Sequence, residues 1–219
     1  MPENAAAVVN RFERRRQRSR AALIDAAIEL FQEKGIAETK LEDICRRADV
    51  APRTFFNHFE TRDHLYRAIA HQRAVQLADR LAALDEDPRP FARRLHDLFA
   101  EIGAYLAARP LYRQVVTEML HVRTEGGAEL VRSHVLGQAA LRFVREGVRR
   151  GEIARRHRPE ILADILLGAL TVAISNWGAS DRYDLERSLQ ETARALLDLF
   201  APAASDRRPP AADRKARRR

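Results

Sequence analysis

Residues 39–62 read TKLEDICRRADVAPRTFFNHFETR. The spacing predicts a helix, a three-residue turn and a second short helix. Leu41, Ile44, Cys45 and Ala48 recur three and four apart and share one face, which leaves Arg46 and Arg47 toward solvent. Thr39 followed by Glu42 has the form of a capping box, with the hydroxyl accepting from the Glu42 N–H. In the turn Asp49-Val50-Ala51 one residue must enter left-handed backbone space, and Asp tolerates it second only to Gly. Pro52 suits the first position of the next helix, where its missing N–H costs nothing. Phe55 and Phe59 then face inward, Arg53, Thr54, Phe56, Asn57 and His58 take the remaining surface, and Thr61 caps a further helix. Two helices joined by so short a turn form a helix-turn-helix, the unit that lays its second helix in a DNA major groove.

Upstream, about Glu13 to Lys34 carries Leu23, Ile24, Ala27, Ile28, Leu30 and Phe31 on one side, and Gly35 is placed as a C-cap. Together these segments make a three-helix DNA-binding unit. A fourth helix from Arg62 to about Leu84 carries Leu65, Ile69, Leu77 and Leu81 and stops at an acid- and proline-rich break. It bridges to the second half.

From Ile24 to Leu65 the ordered text is IDAAIELFQEKG, TKLEDIC, Val50 four before Thr54, the aromatic run FFNHF, and Arg62 two before His-Leu-Tyr. In these residues the chain resembles the tetracycline-repressor (TetR) family of one-component bacterial transcriptional regulators. Three positions depart from the family pattern. Asp49 stands for the turn glycine, Phe56 for a tyrosine whose hydroxyl reaches phosphate, and Lys40, able to make an ionic contact, for the second of two threonines. Beyond residue 70 the resemblance is one of architecture. It implies an all-α chain of about nine helices, an amino-terminal helix-turn-helix domain followed by a larger ligand-binding and dimerisation domain. It also implies pairing through the last two helices in a four-helix bundle, a palindromic operator, and release by a small molecule.

The net charge of +8 is uneven: residues 1–20 hold six Arg against two Glu, and residues 201–219 hold seven basic residues against two Asp. The body is about neutral, so the pI of 10.4 belongs to the termini. The expected organisation is a flexible basic arm (1–18), the DNA-binding domain (19–61), the connecting helix (62–84), the helical domain (85–200) and a disordered basic tail (201–219). Arg14, Arg15, Arg16 and Arg18 of the arm are placed to follow a phosphate backbone or enter a minor groove. One cysteine excludes a disulfide framework within the chain and suits a reducing cytoplasm, and Cys45 reads as an inert core residue. No apolar segment at the amino terminus suggests secretion, and the apolar run Ile161 to Ile174, broken by Asp164, reads as too short for a bilayer. The chain is therefore expected in the cytoplasm, on the nucleoid when DNA-bound.

The second half should hold about five helices: Phe91 to Ala108, Pro110 to Val122 ending near Gly126-Gly127, Ala128 to Arg150, Pro159 to Trp177, and a last one striped by Leu185, Leu189, Ala193, Leu196 and Phe200. The segment 159–177 is apolar nearly all round, with Gly168, Ala169 and Ala173 as small residues, and a helix of that kind must be covered on every side. A second copy of the chain does this most simply, which nominates Leu166, Ala169, Leu170, Ala173, Leu189, Ala193 and Leu196 as the dimer interface. The competing reading is a central helix in a monomer.

The candidate DNA contacts are Lys40, Arg46, Arg47, Pro52, Arg53, Thr54, Phe56, Asn57, His58 and Arg62. Phe99, Tyr105, Tyr112, Met119, His134 and Trp177 are candidate walls of a cavity for a small apolar or amphipathic effector, though such residues also make plain core. No catalytic set is present. Glu118-x-x-His121 has half the spacing of a carboxylate-bridged di-metal site but no second Glu-x-x-His exists, so neither a metal nor a cofactor is expected. Glycine-rich phosphate loops and nucleophile elbows are absent. The expected protein is a homodimeric repressor of a palindromic operator. The alternatives are an activator, a regulator answering to a partner protein, a nonspecific nucleoid binder and a helical enzyme.

Overall fold

The computed structural model describes residues 3–117 and 134–202, with side chains in 12–117 and 135–202. Among these residues there are nine helical segments and no strand: α1 (Glu3–Lys34), α2 (Leu41–Arg47), α3 (Pro52–His58), α4 (Arg62–Asp85), α5 (Phe91–Ala107), α6 (112–117), α7 (His134–Arg149), α8 (Pro159–Ala179) and α9 (Leu185–Phe200). Gly126-Gly127, Glu118, His121, Met119 and the tail from 203 lie outside the described residues, as does the side chain of His134.

Two expectations at the amino end are corrected. The arm is not a separate unit, because α1 begins at Glu3 and runs for 32 residues. Nothing between Glu3 and Lys34 breaks a helix, and Ala, Arg, Glu and Gln are strong helix formers that outweigh local charge repulsion. Nor does Thr39 form a capping box. Its side chain is buried, with Oγ1 donating to the Gly35 carbonyl at 2.6 Å, so α2 opens on Lys40 with no side-chain cap. The carbonyls at the end of a helix lack partners, and where Gly35 turns at φ +80 the hydroxyl supplies one.

The remaining local expectations hold. Asp49 takes φ +53, Pro52 opens α3, and the Thr61 hydroxyl accepts from the His64 N–H at 3.3 Å to cap α4. Leu23, Ala27, Phe31, Ile44, Cys45, Phe55, Phe59 and Leu65 close one core over α1 to α4. Burial raises the Cys45 thiol pKa, as an inert core cysteine requires.

At 24 residues α4 is about 36 Å long and runs from the helix-turn-helix into the second core, where it packs along α7. Its far end is pinned. Arg94 is fully buried between the rings of Phe91 and Phe143, donating from Nη1 to the Leu84 carbonyl (2.8 Å) and from Nη2 to Glu152 (2.9 Å). Glu152 in turn accepts from the Phe91 N–H at 3.0 Å, and Arg150 donates to the Asp85 and Asp87 carbonyls at 2.7 and 2.8 Å. Beyond this anchor α5 lies on α9, so close at Gly103 that a Cβ there would sit 3.3 Å from the Glu186 backbone.

α8 packs on α7 and α9, and at 21 residues it outruns the apolar stretch read from sequence and reaches bilayer length by size and composition. Its Leu162, Leu166, Leu167 and Leu170 are buried against protein instead. The nominated interface is thereby overturned at six positions: Leu166, Leu170, Ala173, Leu189, Ala193 and Leu196 are all buried within one chain, and Ala169 is half-buried. Ile161, Ile165 and Val172 are left outside, with Gly168 between them facing open space. These four recur at four, three and four residues and form one stripe.

Candidate nucleic-acid interface and effector cavity

The helix-turn-helix is held to α1 by charge as well as by its core. Lys34 Nζ donates to Asp43 at 2.6 Å, and Arg47 reaches back over α1 to Glu33 (2.8 and 2.9 Å) and Glu29 (3.1 Å). These bonds lower the carboxyl pKa values of Asp43, through Lys34, and Glu33, through Arg47. Arg47 is therefore a clamp between α2 and α1 and not the free cation the sequence suggested. Among the described residues Arg46 pairs only with Asp43 of its own helix, at 3.0 Å, and it stays open to solvent.

On the outer face of α3, Arg53, Phe56 and Asn57 are exposed and Thr54 is half-buried; Phe56 is 56% exposed although apolar. Lys40, Pro52 and Arg62 flank this face, all exposed. His58 turns the other way. Its ring meets the Ser19 hydroxyl at 2.9 Å, and burial, then the nearby charges of Arg16 and Arg20, lower its pKa. Arg20 also lies over the Phe59 ring at 5.3 Å, so this part of α1 supports the end of α3. What remains outward is a cationic and polar ridge on a short helix, rooted by the buried Phe55 and Phe59.

The second feature is a cavity of about 400 Å³ between α4, α5, α6, α7 and α8. Leu77, Leu98, Ile102, Leu106, Leu167, Leu170 and Ile174 make its apolar walls. Two of the sequence candidates, Tyr105 and Tyr112, line it. Phe99 does not, being fully buried in the core, and Trp177 is buried beneath Arg113, whose guanidinium sits 5.0 Å from the ring. Met119 and the His134 side chain lie outside the described residues. Sequence reasoning missed Arg73, Arg80 and Glu101. The available signal was the α4 register, since Arg73, Leu77 and Arg80 recur at four and three on one face with Ala70 and Ala74.

Tyr105 belongs to both features. Its ring walls the cavity and stacks on Arg109 at 4.0 Å, while its hydroxyl accepts from Gln32 Nε2 of α1 at 3.1 Å. Burial raises the pKa of the neighbouring Tyr112, so that phenol stays protonated. Among the described residues no cluster of His, Cys, Asp or Glu could hold a metal ion.

An exposed second helix on a three-helix unit, joined by one continuous helix to a helical body with a cavity of about 400 Å³, is an arrangement suited to binding DNA with one part and a small molecule with the other. Residues 23–69 match the model of bacterial regulatory proteins of the tetR family. Over 195 residues the chain is 27% identical to the HTH-type transcriptional repressor DhaR of Mycobacterium sp. strain GP1, covering 83% of this chain and 90% of that one. Its fold is that of Thermus thermophilus FadR, a TetR-family transcriptional repressor solved with lauroyl-CoA (TM-score 0.62, 22% identity, 81% and 93% of the two chains). RolR in complex with resorcinol is also similar (TM-score 0.56, 22% identity, 90% and 97%). Residues 23–69 thus carry the DNA-binding unit of the tetR family of bacterial regulatory proteins, and over most of its length the chain is similar to transcriptional repressors.

Proposed function

We propose that the protein is a homodimeric repressor that sits on a palindromic operator and is released by a small apolar or amphipathic effector bound in the cavity. Arg53, Thr54, Phe56 and Asn57 face the major groove, Arg53 bonding a guanine edge, while Lys40, Arg46 and Arg62 hold phosphates. The Ile161, Ile165, Gly168 and Val172 stripe of α8, with α9 packed on the same helix, meets its twofold copy in a four-helix bundle. The protein works in the cytoplasm.

The observation that carries the reading is that cavity and DNA-binding unit are joined, among the described residues, both through α4 and through the Tyr105 to Gln32 bond. An effector that presses on the wall formed by α4 and α5 moves both joints, and it releases DNA only to the extent that it binds the released form more tightly. Relatives support the range of effector sizes, since lauroyl-CoA and resorcinol occupy proteins of this fold. Selection of bound sequences from a random DNA pool at physiological salt tests the reading. The expected product is an inverted repeat with half-sites about one helical turn or somewhat more apart. A pool that stays unenriched, or half-sites without twofold symmetry, refutes it.

A further inference from the structure

Among the described residues three charged side chains line the cavity, Arg73, Arg80 and Glu101. Arg80 and Glu101 neutralise each other, Nε donating to Oε2 at 3.1 Å with a second contact from Nη2, and both are half exposed at the rim. Arg73 is different. It is half-buried, and among the described residues its hydrogen bonds go to neutral oxygens: Nη1 to Gln76 Oε1 at 2.8 Å and Nε to the Tyr112 hydroxyl at 3.4 Å. The rings of Tyr105 and Tyr112 flank its guanidinium at 5.7 and 5.8 Å.

A guanidinium carries five N–H donors and keeps its charge at any physiological pH. Two are used here, so three have no partner among the described residues, and no carboxylate there pairs with it. The two bonds and two rings hold the group in one orientation, which is how a planar fork is prepared for a planar acceptor. The rest of the wall is overwhelmingly aliphatic and aromatic, a surface that takes hydrocarbon and repels a second cation.

We propose that the effector is an amphipathic monocarboxylate, its carboxylate on Arg73 and its apolar body against Leu98, Ile102, Leu106, Leu170 and Ile174. This rests on the reading of the cavity as the effector site. A neutral molecule of the same shape gains the apolar burial alone, whereas the carboxylate adds charge-assisted hydrogen bonds, a preference of about ten- to a hundredfold. An amine of that shape brings a second cation to Arg73 and is rejected.

Calorimetric titration of the full chain with octanoate, octan-1-ol and octylamine at neutral pH tests the proposal without any variant: octanoate should bind at least tenfold more tightly than the alcohol, and the amine most weakly. Arg73→Gln should bring octanoate down to the level of the alcohol while leaving the alcohol within about twofold, and Arg73→Lys should restore part of the preference. Thr171→Trp, which fills the cavity from α8, should abolish binding of both. Equal affinities for octanoate and octanol in the parent protein, or a preference that survives Arg73→Gln, overturn the carboxylate site while leaving the cavity as a ligand site. Binding indifferent to Thr171→Trp, or no binding of either probe, overturns the effector reading of the cavity itself.

Discussion

The bond between Tyr105 and Gln32 is the smallest piece of the molecule that joins cavity wall to DNA-binding unit, and it can be cut by removing one atom. Tyr105→Phe keeps the ring at the wall, against Arg109 at 4.0 Å and Arg73 at 5.7 Å, and deletes only the hydroxyl that accepts from Gln32 at 3.1 Å. Both partners are neutral and half-buried, which places the bond in the ordinary range of about 0.5–1.5 kcal/mol net. If it is intact in the operator-bound form and broken in the released one, a twofold dimer loses it twice, about 1–3 kcal/mol or five- to 150-fold in operator affinity. By reciprocity the same change tightens effector binding. The assay is fluorescence anisotropy of labelled operator, at one salt concentration, for the parent chain, Tyr105→Phe, Gln32→Met and the double variant. The two single variants should weaken binding alike, and the double variant should be no worse than either. A change below twofold, or single effects that add to within about 0.3–0.5 kcal/mol, refutes this bond as a coupling element.

Val172→Glu puts a carboxylate on the open stripe at a residue 59% exposed in the single chain, and sedimentation should show folded monomers with operator affinity largely lost; Leu170→Glu, at 4% exposure, should instead unfold the helical domain. A dimeric Val172→Glu protein points to another interface. Arg94→Met strands Glu152 and the Leu84 carbonyl, and removing one partner of a buried pair costs about 3–5 kcal/mol. Because Glu152 keeps some exposure the lower value applies, a fall in Tm of about 6–12 °C at fixed protein concentration, and a fall under about 2 °C contradicts the anchoring role. Arg53→Ala should cost about 1–3 kcal/mol and relax one operator position, Lys40→Ala should lower the salt slope by about one, and Arg47→Ala, whose charge is tied to Glu29 and Glu33, should leave that slope unchanged. His58 has a lowered folded pKa, so the native state resists its protonation. Its contribution is full above the unfolded value of about 6.5 and is lost as pH falls from there through the folded value; His58→Gln should flatten denaturant stability over that window, and an unchanged slope excludes it.

What could be read directly from the sequence is whatever a few neighbouring residues decide among themselves. Asp49 in left-handed space, Pro52 at the head of α3, the Thr61 cap and the inward pair Phe55 and Phe59 each follow from the backbone and from spacing within one or two turns. The all-α class and the helix-turn-helix follow from those pieces in order. Partners far along the chain decided the rest. Arg47 is withdrawn from the DNA face because Glu29 and Glu33, 18 and 14 residues back, lie across from it, whereas Thr39 is a local case that spacing leaves open, its hydroxyl going back to the Gly35 carbonyl instead of forward to Glu42. On α8 nearly every position is apolar, so periodicity cannot say which side neighbouring helices cover; only the placement of α7 and α9 buries Leu166 and Leu170 and leaves Ile165 and Val172 for another surface. The cavity is likewise a property of five helices together, which is why Tyr105 lines it, Phe99 does not, and Arg73, an ordinary helix residue in the sequence, becomes the one lining cation that no described carboxylate answers.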